Sequence, residues 1–259
     1  MSAEFWALGA AAAGGAIIGL LLAVFGGGGS VLATPLLLYV AGMKDPHVAI
    51  GTSAAAVSVN ALAGLAMQAR AGRVKWPCAT VFAVSGLAGA LTGAAIAKRI
   101  DGTVLMVWFA IAMAAVALSM MWPRRTDGDP HVRLNRAMTL KLAPVGAATG
   151  LAAGFFGIGG GFLIAPGLMA ASGMTLANAA ASSLISVALF GAATSISYAA
   201  SGMVDIPMLV ALVAGGIVGT VVGAPVARRL AAQASLARSL FGGLILATAA
   251  WIAWRSLTA

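Results

Sequence analysis

The residues of this chain with the spacing to do chemistry are glycines and hydroxyls. "VFGGGGSVLATP" runs from Val24 to Pro35, and "FFGIGGGFLIAP" from Phe155 to Pro166. Both sit inside strongly apolar stretches, where each helical glycine costs about 1 kcal/mol relative to alanine. A backbone broken at membrane depth must be buried in protein or line a wet cavity, because lipid satisfies no N–H or C=O group. Helices starting after such breaks, near Ser30 and Gly161, would present free N–H groups and a positive dipole end. Two such ends meeting would hold an anion without a buried cation.

The candidate binding residues are therefore Gly26, Gly28, Gly29 and Ser30 in the first cluster and Gly157, Gly159, Gly160 and Gly161 in the second. Thr52-Ser53 and Ser182-Ser183 are expected to open the next long helices, where hydroxyls either cap the helix or donate to a ligand oxygen. Asn60, Gln68 and Tyr198 are candidates to line a pathway, with interhelical hydrogen bonding as the plainer role. "GLAGALTG" (86–93) and "GGIVGTVVG" (215–223) carry small residues at four-residue spacing without a break, and these are expected to pack helices closely.

The elements that must position these residues are membrane spans. The 259 residues are 61% hydrophobic and only 8% charged, against roughly 25% charged in a soluble domain. Eight long apolar segments, 5–25, 47–69, 76–97, 103–122, 138–157, 178–200, 207–227 and 236–254, each approach the ~20 residues of a spanning helix. Two shorter ones, 31–42 and 162–173, follow the glycine clusters. The first run lacks a basic flank and is too long for a signal-peptide core, so it reads as a mature helix. The fold class is an all-α polytopic membrane protein, and the lipid bilayer is its first partner.

The two halves match. Phe25-Gly26 and Phe156-Gly157, Gly28-Gly29 and Gly159-Gly160, and Pro35 and Pro166 stand 131 positions apart. After one residue drops out, Ser53 and Ser183, Gly72 and Gly202, and Pro77 and Pro207 stand 130 apart. The register runs from Gly19, matched by Gly150, to Gly93, Ala97 and Arg99, matched by Gly223, Ala227 and Arg229, and over some eighty positions it indicates a duplication. Residues 1–122 are expected to form the first transmembrane repeat, 123–137 a hydrophilic cytoplasmic linker and 138–259 the second transmembrane repeat.

Basic residues sit mainly at segment ends, where they orient helices, so the net charge of +9 points to topology and lipid and not to nucleic acid. Parallel repeats with re-entrant short segments place nine basic residues inside and six outside. Inverted repeats, whose short segments cross together with their glycines, place eleven inside: Arg70, Arg73, Lys75, Arg124, Arg125, Arg133, Arg136, Lys141, Arg228, Arg229 and Arg238. Inversion fits the positive-inside rule better. Trp6, Trp76, Trp122 and Trp254 fall near segment ends as interfacial anchors do.

No acidic or basic residue lies in the middle of an apolar run, which gives carboxylate-driven proton coupling little support. Cys78 is the only cysteine, so no intrachain disulfide or multi-cysteine metal site can form, and no cofactor is expected. Ser30 in "GGGGS" raises an intramembrane serine protease as a remote alternative. His47, at a boundary, is the only histidine near the membrane to serve as its base.

The duplicated "FGxGGG"-type cluster (FGGGGS, FGIGGG), the following proline, the Thr-Ser or Ser-Ser pair and the later G-x-V resemble the sulfite exporter TauE/SafE family over nearly the whole chain. The chain departs from the family's usual Thr-Ser-Leu pairs with Thr52-Ser53-Ala54 and Ser182-Ser183-Leu184, and has Gly27 opposite Ile158. The resemblance implies a transporter that moves a small sulfur-containing anion, such as sulfite or a sulfonate, across the bacterial inner membrane. An anion channel and a carrier of non-sulfur organic anions are the alternatives.

Overall fold

The computed structural model describes residues 2–121, 128–157, 161–231 and 233–258. Among them the chain is helical, with no strand and one isolated bridge between Asp129 and Met174. The first half contains α1 (Ser2–Phe25), a 3-10 segment (Gly26–Leu32), α2 (Ala33–Tyr39), α3 (Pro46–Arg70), α4 (Trp76–Ala97) and α5 (Gly102–Met121). The second contains α6 (Arg136–Phe156), α7 (Gly161–Ser172), α8 (Leu176–Ala199), α9 (Ile206–Ala231) and α10 (Ala234–Thr258). Among the described residues six helical stretches are long and apolar enough to cross a membrane, and Val104–Leu118, Leu163–Ser172 and Ser239–Ile252 are shorter apolar helices.

Local chemistry sets the helix ends. Asp45 accepts the His47 N–H at 2.8 Å ahead of Pro46, and Thr175 accepts the Asn178 N–H at 3.3 Å. Asn135 and Asp205 do the same for Met138 and Met208. Such caps each contribute about 1 kcal/mol. The turns that end helices use glycines in the left-handed region, and these recur at matching places: Gly26 and Gly157, Gly42 and Gly173, Gly72 and Gly202.

The long helices pack across the halves. α1 lies along α9 and α6 along α4, while α3 crosses α8 at the centre and α5 pairs with α10. The small-residue segments behave as expected. A Cβ on Gly89 or Gly93 would meet the backbone of α6, and one on Gly215 or Gly219 the backbone of α1. α3 and α8 run antiparallel: Gly51 lies against Tyr198 and Met203, Ser58 donates to Ala188 O at 2.7 Å, and Ser182 lies beside Lys75 just after α3.

Polarity is inverted relative to a soluble protein. Ser30, Thr34, Thr52, Ser53, Asn60, Ser182, Ser183, Ser186 and Thr194 are buried, while Val84, Ile196, Val210 and Val221 are more than half exposed. A surface of this kind suits lipid and leaves the interior to polar contacts. Trp6, Trp76 and Trp254 are exposed near helix ends; Trp122 lies outside the described residues.

Candidate functional site

The two glycine breaks meet in the interior. A Cβ on Gly27 would meet the backbone of Gly161, and one on Gly161 would meet the backbone of Gly27. Only glycine permits that approach. Gly26 (φ +62°) rests on Ala180 of α8, and Gly157 (φ +68°) rests on Ile50 of α3. Each break thus sits on the opening turns of the long helix from the other half. Gly159 and Gly160 lie outside the described residues.

The first break has a different form from the one expected. Gly26–Leu32 winds as a 3-10 helix and passes directly into α2, so the α-helix begins at Ala33 and not near Ser30. Glycines tolerate the tighter winding, and the segment stays hydrogen-bonded within itself, with Ser30 Oγ donating to Gly27 O at 2.7 Å. α7 is described from Gly161 onward, directly after residues outside the described set. Gly28 is covered by the Phe241 ring of α10, and Gly29 packs on Leu21 and Leu22 of α1.

The hydroxyl pairs also lie deeper than expected. α3 and α8 start at Pro46 and Leu176, so Thr52-Ser53 and Ser182-Ser183 fall in the second turn and beyond, and cap neither helix. The inner members face the breaks. Ser183 Oγ accepts the Gly27 N–H at 3.0 Å and donates to Ala180 O at 2.8 Å. Ser53 Oγ donates to Ile50 O at 3.1 Å and lies 2.7 Å from Thr34 Oγ1. The outer members turn away. Thr52 Oγ1 accepts the Asp205 N–H and Ser182 Oγ the Lys75 N–H, both at 2.9 Å. These N–H groups precede α9 and α4, so the outer hydroxyls do satisfy helix starts, but in the opposite half.

Asn60 and Gln68 lie on α3, where they meet α9 and α1 respectively, and Tyr198 lies on α8 at the position matching Gln68. Asn60 Nδ2 donates to Leu212 O at 3.4 Å, while its Oδ1 has no partner. Gln68 Nε2 donates to Ala23 O at 3.1 Å. The hydroxyls of Tyr198, Ser186 and Thr194 are buried and have no partner, although such groups are ordinarily paired. With His47 Nδ1, five unpartnered buried polar atoms lie on the two central helices among the described residues.

Thr34 and Phe241 were not legible as site residues. Thr34 has no hydroxyl at its matching position, Ala165, and Phe241 stands more than two hundred positions from the break.

The sequence profile of the sulfite exporter TauE/SafE family matches residues 11–252. A "Probable membrane transporter protein" of Xylella fastidiosa (strain 9a5c) is 44% identical over 230 residues, covering 88% of this chain and 87% of its own length. The protein of that name from strain Temecula1 / ATCC 700964 is 45% identical over 229 residues, covering 88% of this chain and 87% of its own. "Probable membrane transporter protein YunE" of Bacillus subtilis (strain 168) is 27% identical over 202 residues, covering 71% and 73%. No solved structure matches the chain. With that profile spanning almost its full length, on a bundle of membrane-crossing helices, the chain belongs to the sulfite exporter TauE/SafE family of multi-pass inner-membrane transporters.

Proposed function

We propose that the protein is a carrier for a small sulfur-containing oxyanion, sulfite or a sulfonate, bound where the two glycine breaks meet. The observation that carries this reading is the apposition of Gly27 and Gly161, with Ser183 Oγ on the Gly27 N–H. A hydroxyl oxygen on that N–H occupies a position that an anion oxygen would take in a bound state. Ser53, Ser183 and the glycine N–H groups supply neutral donors, and hydrogen bonds to a charged group contribute about 1.5–3 kcal/mol each. Gly26, Gly28, Gly29, Ser30, Gly157 and Gly161 shape the backbone there. Thr52 and Ser182 tie each half to the other.

Inverted repeats provide the means of exchange. The antiparallel crossing of α3 and α8 and the matched bonds Thr52–Asp205 and Ser182–Lys75 support a two-fold relation in the membrane plane. Such repeats commonly hold substrate at discontinuous helices near the midplane and rock around it.

Counterflow tests the reading. Purified protein in liposomes preloaded with unlabelled sulfite should accumulate radiolabelled sulfite transiently and saturably. A single-channel current without counterflow would indicate a channel. Counterflow with carboxylates but not with sulfite or sulfonates would assign another cargo.

A further inference from the structure

Where the C-terminal parts of α1, α3 and α9 converge, a cavity of about 220 Å³ opens, lined by Ala23, Gly64, Gln68, Arg73, Thr220 and Ala224 among others. A water takes about 30 Å³, so this is room for about seven waters, or for a small oxyanion with part of its hydration. Among the described lining residues Arg73 is the one charged group, and no carboxylate is present to neutralise it. Its position is fixed by a short relay. Arg73 Nη1 donates to Gln68 Oε1 at 3.3 Å, and Gln68 Nε2 donates to Ala23 O at 3.1 Å. A guanidinium has five N–H donors, of which Gln68 takes one.

The matching place in the other half is filled. Tyr198 stands 130 positions after Gln68, Thr194 after Gly64 and Met203 after Arg73. Tyr198 is fully buried, His47 stacks on it with ring centroids 6.2 Å apart, and Lys98 Nζ lies 5.9 Å above its ring. Lys98 is held there by Ser197 O at 3.0 Å and Ser201 Oγ at 3.3 Å. Ala90 and Ala94, which correspond to Thr220 and Ala224, have no exposed surface. The fold is thus open at Arg73 and closed at Tyr198.

We propose that the cavity is an anion-binding vestibule in which Arg73, positioned by Gln68, captures a small oxyanion, and that Tyr198 closes the matching vestibule in the other half. The inference rests on the anion-carrier reading, but its test does not depend on which anion is carried or on the glycine breaks. A single cysteine is placed at Ala224 or at Ala94 in a Cys78→Ala background of the full chain, in phosphatidylcholine liposomes. Each is reacted with an anionic and a cationic thiosulfonate reagent, with rates normalised to a free thiol. At Ala224→Cys the anionic reagent should react about tenfold faster, the low end of the effect of a charged cleft on encounter. Arg73→Gln should remove that preference and Arg73→Lys should retain it. Sulfate and methanesulfonate should slow the reaction saturably, and Ala94→Cys should remain unreactive. Charge-blind rates at Ala224→Cys, a preference that survives Arg73→Gln, or equal labelling at Ala94→Cys would overturn the proposal. So would protection by added phosphatidylglycerol but not by sulfate, since that marks a lipid site. A protein that fails sulfite counterflow yet shows the Arg73-dependent preference would retain the vestibule and lose only the cargo assignment.

Discussion

Ser183 Oγ holds the N–H of Gly27, a residue 156 positions away in the other half, at 3.0 Å. The bond joins the hydroxyl pair of one half to the glycine break of the other. Removing it in Ser183→Ala leaves a buried N–H unpartnered, which costs about 1–3 kcal/mol of stability. If the hydroxyl also touches the anion, affinity falls about 10–150-fold, the equivalent of about 1.5–3 kcal/mol. Ser183→Thr keeps the hydroxyl and should restore most of both. Thermal unfolding and sulfite titration on the same preparations separate the two effects. A loss of stability with unchanged affinity would confine Ser183 to packing.

The outer hydroxyls should behave differently. Thr52 and Ser182 are engaged with Asp205 N and Lys75 N. Thr52→Val and Ser182→Ala should each lower stability by about 1 kcal/mol, the scale of a lost helix-start bond, with sulfite affinity nearly intact. A tenfold loss of affinity in either would place that hydroxyl on the ligand.

The glycines divide into two classes by what a side chain would meet. At Gly28 it would meet the Phe241 ring, and at Gly89 the backbone of Ala147. A ring can yield, so Gly28→Ala combined with Phe241→Leu should fold and insert while binding sulfite at least tenfold more weakly. Backbone cannot yield as cheaply, so Gly89→Val should reduce expression and melting temperature. Size-exclusion profiles and titrations on both variants check the distinction.

Topology gives a fourth expectation. The exposed Arg99 probes the turn after α4, and the exposed Gln233 probes the chain between α9 and α10. Cysteines at these positions in a Cys78→Ala background should react unequally with an impermeant thiol reagent in intact cells, with Arg99→Cys labelled and Gln233→Cys protected. Equal labelling would contradict inverted repeats.

Composition, helix positions and the places of the turns were legible in the sequence because they rest on local physics: apolar length, caps and left-handed glycines. Gly26 and Gly157 were visible as breaks for the same reason. What lay hidden was non-local. Whether a run of glycines opens or winds as a 3-10 helix depends on Gly161, Phe241 and Ala180 packing around it. The roles of Thr52 and Ser182 depend on backbone N–H groups more than a hundred positions away. Arg73 read as a topology signal, and only the convergence of α1, α3 and α9 places it at a cavity.

The central claim is that the paired glycine breaks hold a small sulfur oxyanion, and the most direct measurement is ligand-dependent thermal unfolding of the parent protein and of Gly28→Ala/Phe241→Leu. Sulfite, methanesulfonate, acetate and chloride are compared at equal concentration and ionic strength. A ligand at a hundred times its Kd stabilises by about 2.7 kcal/mol. Sulfite or methanesulfonate should raise the unfolding temperature of the parent, acetate and chloride should not, and the double variant should show no shift. Equal stabilisation by all four anions, or an undiminished sulfite shift in a well-folded double variant, would contradict the account.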